Sequence, residues 1–156
     1  MATSETLRPT ASLEADATLT NGANAYDGDT GTNAVLTEAT EDQQATAVWD
    51  GFPSGAIATN RRASVILEIF ADWDTTDAND TARVWVRTNA LDPWTEIDAQ
   101  SYPNGWAGAY RSFDITDVLG TRDVADLEVQ VGFRNNGTVG GGGSKPLPDL
   151  NDDPGA

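Results

Sequence analysis

Neither cysteine nor histidine occurs anywhere in this chain. Without cysteine the fold owes nothing to disulfides, and neither a thiol nucleophile nor a thiolate metal site can form. Without histidine, Ser-His and Cys-His catalysis, the common zinc sites and the usual neutral-pH proton shuttle are excluded. We therefore expect a non-enzymatic protein. Positive charge is also scarce: 9 Lys and Arg stand against 25 Asp and Glu, a formal charge of −16. The cations are scattered, so the chain would repel nucleic-acid phosphates and anionic lipids, and neither is expected as a partner. Divalent cations, basic protein surfaces and neutral glycans stay open, as does charge acting only as a solubiliser. No run approaches the ~18 apolar residues of a membrane span. The opening MATSETLRPTAS lacks the apolar stretch of a secretory signal, so synthesis in the cytoplasm without a signal peptide is expected.

What is present is period-two alternation. In Ser64 to Phe70, Val65, Leu67 and Ile69 share one face. In Arg83 to Thr88, Val84 and Val86 oppose Arg83, Trp85 and Arg87. In Leu127 to Phe133, Leu127, Val129, Val131 and Phe133 oppose Glu128, Gln130 and Gly132. Shorter strand candidates lie at 45–49, 94–98 and 110–115, with a short helix at 115–119 that Asp114 or Thr116 would cap and Gly120 would stop. Gly, Pro and Asn turns separate these pieces. An all-β fold follows, a jelly-roll β-sandwich with extended N- and C-terminal arms.

The chain's length of 156 residues suits one domain. We place its body at 21–137, with an N-terminal arm or first strand over 1–20. Residues 138–156, containing GGGGS and then KPLPDLNDDPGA, read as a Gly-rich linker leading to an extended, proline-spaced tail. Such a tail would take its order from a neighbouring subunit. Deleting 138–156 is then expected to spare the fold and weaken assembly.

The segment Ala25 to Thr32 (AYDGDTGT), the AVWDG of Ala47 to Gly51, the strand Val65 to Phe70 and the run Val84 to Trp94 together resemble a known family. It is the galactose-binding-like jelly roll of discoidin and coagulation-factor C-type domains. Two features depart from that pattern. No Trp follows the DGDTGT loop, and the chain ends in a Gly-rich tail where such domains return with a final strand. The opening Leu7-Arg8-Pro9-Thr10 followed by a DGD segment is similar to small jelly-roll proteins among tailed-phage structural genes.

The resemblance implies a calcium ion held through Asp27, Asp29 and Thr32, since calcium takes hard oxygen ligands on a glycine-rich turn. The alternative is an Asp-Gly turn whose carboxylates bond nearby amides. An EF-hand register fails because Thr32 occupies the sixth position, where the bend needs glycine. The acidic run Asp72 to Asp80 reads as a solvated hairpin loop. Arg83, Trp85 and Arg87 form a candidate contact stripe, because Trp and Arg dominate binding hot spots. Arg8, Lys145, Leu147 and Leu150 would be the arm contacts. Trp73, Tyr102 and Trp106 lie in or near loops, where they could stack on a sugar ring or serve as apolar plugs.

Two functions follow from these readings. The first is a tailed-phage virion protein, a capsid decoration or cement protein bound to the major capsid protein or to neighbouring copies as a homo-oligomer. The second is a carbohydrate-binding or adhesion module that stacks a glycan over a calcium-supported loop.

Overall fold

The computed structural model describes residues 4–14, 18–27, 32, 34–37, 44–73, 81–101, 106–134 and 146–150. In chain order the strands are β1 (Ala11–Glu14), β2 (Thr18–Thr20), β3 (Ala34–Thr37), β4 (Gln44–Asp50), β5 (Ile66–Trp73), β6 (Thr81–Arg87), β7 (Thr95–Ser101), β8 (Trp106–Asp114), β9 (Glu128–Arg134) and β10 (Pro146–Leu150). One turn of α-helix, α1 (Thr116–Leu119), and a 3-10 turn over Val124–Asp126 lie between β8 and β9.

The strands form two antiparallel sheets, ordered β1-β4-β9-β6-β7 and β2-β3-β10-β5-β8. The pairing is nested: β6 with β7, β5 with β8, β4 with β9 and β3 with β10. The nested pairs alternate between the two sheets, so one long antiparallel ribbon wraps around the core. This is the jelly-roll arrangement, with β1 and β2 added at the edges.

The alternation seen in the sequence sets the layers. Leu67, Ile69 and Ala71 of β5 face Val84, Val86, Val129 and Val131 from the other sheet's strands within one buried cluster. Trp49, at 1% exposure, is the largest fully buried side chain among the described residues. Ile115 just before α1 and Leu119 within it, with Val124 and Leu127, extend this cluster beyond the strand ends. The helix starts at Thr116 with Ile115 in the capping position, where the sequence suggests Asp114 or Thr116; Asp114 instead braces the first helical residue from the position before the cap. The Asp114 carboxylate accepts from the Thr116 amide at 3.0 Å and from its hydroxyl at 2.6 Å, and that hydroxyl in turn accepts from the Val65 amide at 2.9 Å. These bonds, the Thr116 hydroxyl foremost, hold the Asp114 carboxyl below its ordinary value of 3.8. Gly120 stops the helix at φ 56°, ψ −123°, a conformation that glycine adopts readily.

The N-terminal segment forms strands, one of the two states expected of it, whereas the C-terminal segment differs from the extended tail expected. At the N-terminus, β1 pairs with β4 and β2 with β3. The Glu5 carboxylate accepts from the amides of Ala56 and Ile57 at 2.8 and 2.9 Å, and Leu7 packs on the core. At the C-terminus, β10 lies between β3 and β5, so Pro146–Leu150 is an interior strand where a free tail was expected. The physical reason is edge pairing: without β10, β3 and β5 would each present unpaired backbone groups to the other across a gap one strand wide.

Candidate binding cleft at one end of the sandwich

Where β4 and β6 end and β7 and β9 begin, the connecting segments surround a cleft of about 430 Å³. Its polar lining comes from Asp50 at the end of β4, Thr88 and Asn89 after β6, and Arg122, Asp126 and Glu128 before and at the start of β9. Each wall is built by a local device. Gly51 turns away from β4 at φ 71°, and its carbonyl accepts from the Thr10 hydroxyl at 2.7 Å. A Cβ at this position would sit 2.5 Å from that hydroxyl oxygen. The Asn89 side chain accepts from the Leu91 amide at 3.0 Å, and its carbonyl accepts from the Asp92 amide at 3.0 Å, closing the turn after β6. The Asp123 carboxylate accepts from the Ala125 amide at 3.0 Å, starting the turn that carries Asp126.

The charged groups of the cleft divide into two sets. Glu128 is committed: both its oxygens accept from the Arg87 guanidinium, at 2.9 and 3.2 Å, and Arg87 also sits 4.2 Å over the Trp94 ring. This fork and its aromatic floor fix one wall. Among the described residues, the side chains of Asp50, Arg122 and Asp126 carry no hydrogen bond or ion pair. The cleft thus offers one free guanidinium fork and two free carboxylates to whatever enters it.

The residues singled out in the sequence fall in several places. Val84 and Val86 are buried, and Arg83, Trp85 and Arg87 lie on the opposite, half-buried face of β6. Two members of that stripe are already engaged within the molecule, Arg87 as described and Arg83 in a 3.5 Å ion pair with Glu96. Trp73 and Trp106 are register partners on β5 and β8, just past an irregularity in the pairing, at the end of the sandwich away from the cleft. Tyr102 lies outside the described residues, as do the Trp73 and Trp106 side chains. Asp27 and Thr32 are joined by a bond from the Thr32 hydroxyl to the Asp27 carboxylate at 2.6 Å. Asp29 is outside the described residues, and among those described no group of three acids is arranged to hold a metal. Arg8 is exposed and makes interactions of its own. Lys145 lies outside the described residues, and Leu147 and Leu150 belong to β10.

Sequence reasoning did not single out the cleft set of Asp50, Arg122 and Asp126. Its members come from segments more than 70 residues apart, and the only shared signal is their place beside turn punctuation at strand ends, Gly51 and Gly120 above all.

No family model matches the chain, and no curated protein does. Among solved structures it is similar to the CBM32 of AlyQ in complex with 4,5-unsaturated mannuronic acid. The two are 13% identical, with 94% of this chain and 98% of that one covered and a TM-score of 0.44.

Proposed function

We propose that this chain is a non-catalytic carbohydrate-binding module whose cleft takes a pair of neighbouring sugar hydroxyls. The observation that carries the reading is the coexistence of a free Arg122 guanidinium with the free Asp50 and Asp126 carboxylates in one open, polar cleft. A sugar hydroxyl both donates and accepts. Neighbouring hydroxyls can therefore accept from the arginine fork while donating to a carboxylate, satisfying every partner at once. A cleft that keeps donors and acceptors side by side, with one wall locked by Arg87 and Trp94, suits such a ligand better than a simple anion or cation.

The virion reading drew on chain ends that reach a neighbour. Here β1, β2 and β10 are hydrogen-bonded within the sandwich, and no observation favours the assembly role over the cleft.

The test is a broad glycan array probed with the wild-type chain, Arg122→Ala and Asp126→Ala. Binding by wild type and its loss in both variants is the expected result. Both side chains are exposed, so the unfolding free energy of each variant should stay within about 0.5 kcal/mol of wild type. Silence of the wild-type chain across the array overturns the reading. If Trp106→Ala abolished binding while Arg122→Ala spared it, the sugar site would belong at the opposite end of the sandwich.

A further inference from the structure

We infer that Arg62 is the positioning residue that holds Arg122 at the cleft, an inference that rests on the carbohydrate-binding reading. Arg62 does not line the cleft. It lies in the connection between β4 and β5, and one of its terminal nitrogens, Nη2, donates to the Gly120 carbonyl at 2.6 Å and the Arg122 carbonyl at 2.8 Å. These two acceptors flank Thr121, so the guanidinium bridges the short segment that delivers Arg122.

That segment has few other restraints. Among the described backbone bonds it is held by the Gly120 amide to Thr116 and the Arg122 amide to Leu119, at 2.9 and 3.0 Å. Beyond Arg122 the chain is tethered again to the same β4–β5 connection, by the Ser54 hydroxyl donating to Asp123 at 3.4 Å. Arg122 is thus suspended between two attachments to one loop, and the shorter, charge-assisted one is Arg62. A fork aimed at a sugar must be held to a fraction of an ångström, and a side chain on an unsupported turn would lose orientation before binding. The bonds reach carbonyls of the turn and leave the Arg122 side chain free.

Hydrogen exchange and titration with lactose, used as a disaccharide carrying neighbouring hydroxyls, test this on the full chain. In Arg62→Ala, the amides of Arg122 and Asp123 should exchange faster than in wild type, and lactose affinity should fall about tenfold. Arg62→Lys, which keeps a charged donor, should recover part of both. A purely structural role would lower the unfolding free energy of Arg62→Ala and leave the affinity of its folded form for lactose unchanged. Unchanged exchange at Arg122 in Arg62→Ala overturns the clamp. Faster exchange with undiminished lactose affinity overturns the positioning role and leaves the carbohydrate reading standing. If wild type takes neither lactose nor any array glycan, that reading fails on its own test, and the exchange result still decides whether Arg62 holds the turn.

Discussion

The two sheets have the same number of strands and differ in how their middles are made. In the β1-β4-β9-β6-β7 sheet the central strand is β9, which pairs with β4 over Glu128's neighbours Val129 to Arg134 and with β6 along its whole length. In the β2-β3-β10-β5-β8 sheet the central strand is β10. It meets β3 at Pro146, Asp149 and Leu150 with a break in register, and β5 at Asp149 and Leu150 alone. Pro146 and Pro148 donate no backbone hydrogen bond, which is why proline is ordinarily kept off interior strands. One sheet is held at its centre by a full ladder and the other by a short splice, so the second should be where the molecule gives way.

The sharpest way to break that comparison is to remove the splice. Deleting 138–156 should cost more than any point change, because it exposes facing edges of β3 and β5. The expected outcome is a chain that fails to show a cooperative thermal transition, followed by circular dichroism; a wild-type melting curve would mean that β10 is dispensable. Next in size is Val84→Asp, on the fully laddered side. Burying a carboxylate at a site with 0% exposure should cost on the order of 4 kcal/mol in a denaturant titration. Should the deletion prove milder than Val84→Asp, the ranking of the two sheets would be reversed.

A smaller effect is expected from Arg87→Ala, which removes the fork to Glu128 and the contact with Trp94. Both ion-pair partners are partly exposed, so the loss should be about 1 kcal/mol, read as a shift in denaturation midpoint. The smallest concerns pH. The folded-state pKa of Asp114 lies below its unfolded value near 3.8, so its contribution is present above that value and disappears as pH falls through the lower folded one. Comparing wild type with Asp114→Asn from pH 6 downward, the gap in thermal midpoint should close only in that acidic window. A gap that stayed constant would detach the effect from the Asp114 carboxylate.

The long strands are the legible ones, β5 of the spliced sheet as well as β6 and β9 of the laddered one. Val84 and Val86, and Val129 and Val131, alternate with polar residues because each strand has one face on the core and one toward solvent, and that leaves its period in the sequence. The register of β10 leaves no such trace. PLPDL has the composition of an extended linker, and what makes it a strand is the gap between β3 and β5, a property of the whole topology. β2 and β3 are too short to show a period. The cleft was hidden for a related reason: Asp50, Arg122 and Asp126 are ordinary loop residues until the strand ends bring them together, whereas the aromatic candidates Trp73 and Trp106 stood out by residue type alone.

Nested pairing also prescribes a sequence of events in time. The β6–β7 hairpin closes the shortest loop, and each outer pair must bridge a longer one, ending with β3 and β10, which lie more than 100 residues apart. On a ribosome β10 is also the last of these strands to emerge. Until it does, β3 and β5 remain a waiting slot, open to any extended peptide that can fill it, so the interval between translation of Leu150 and its insertion is when this fold is most exposed to strand capture by another chain.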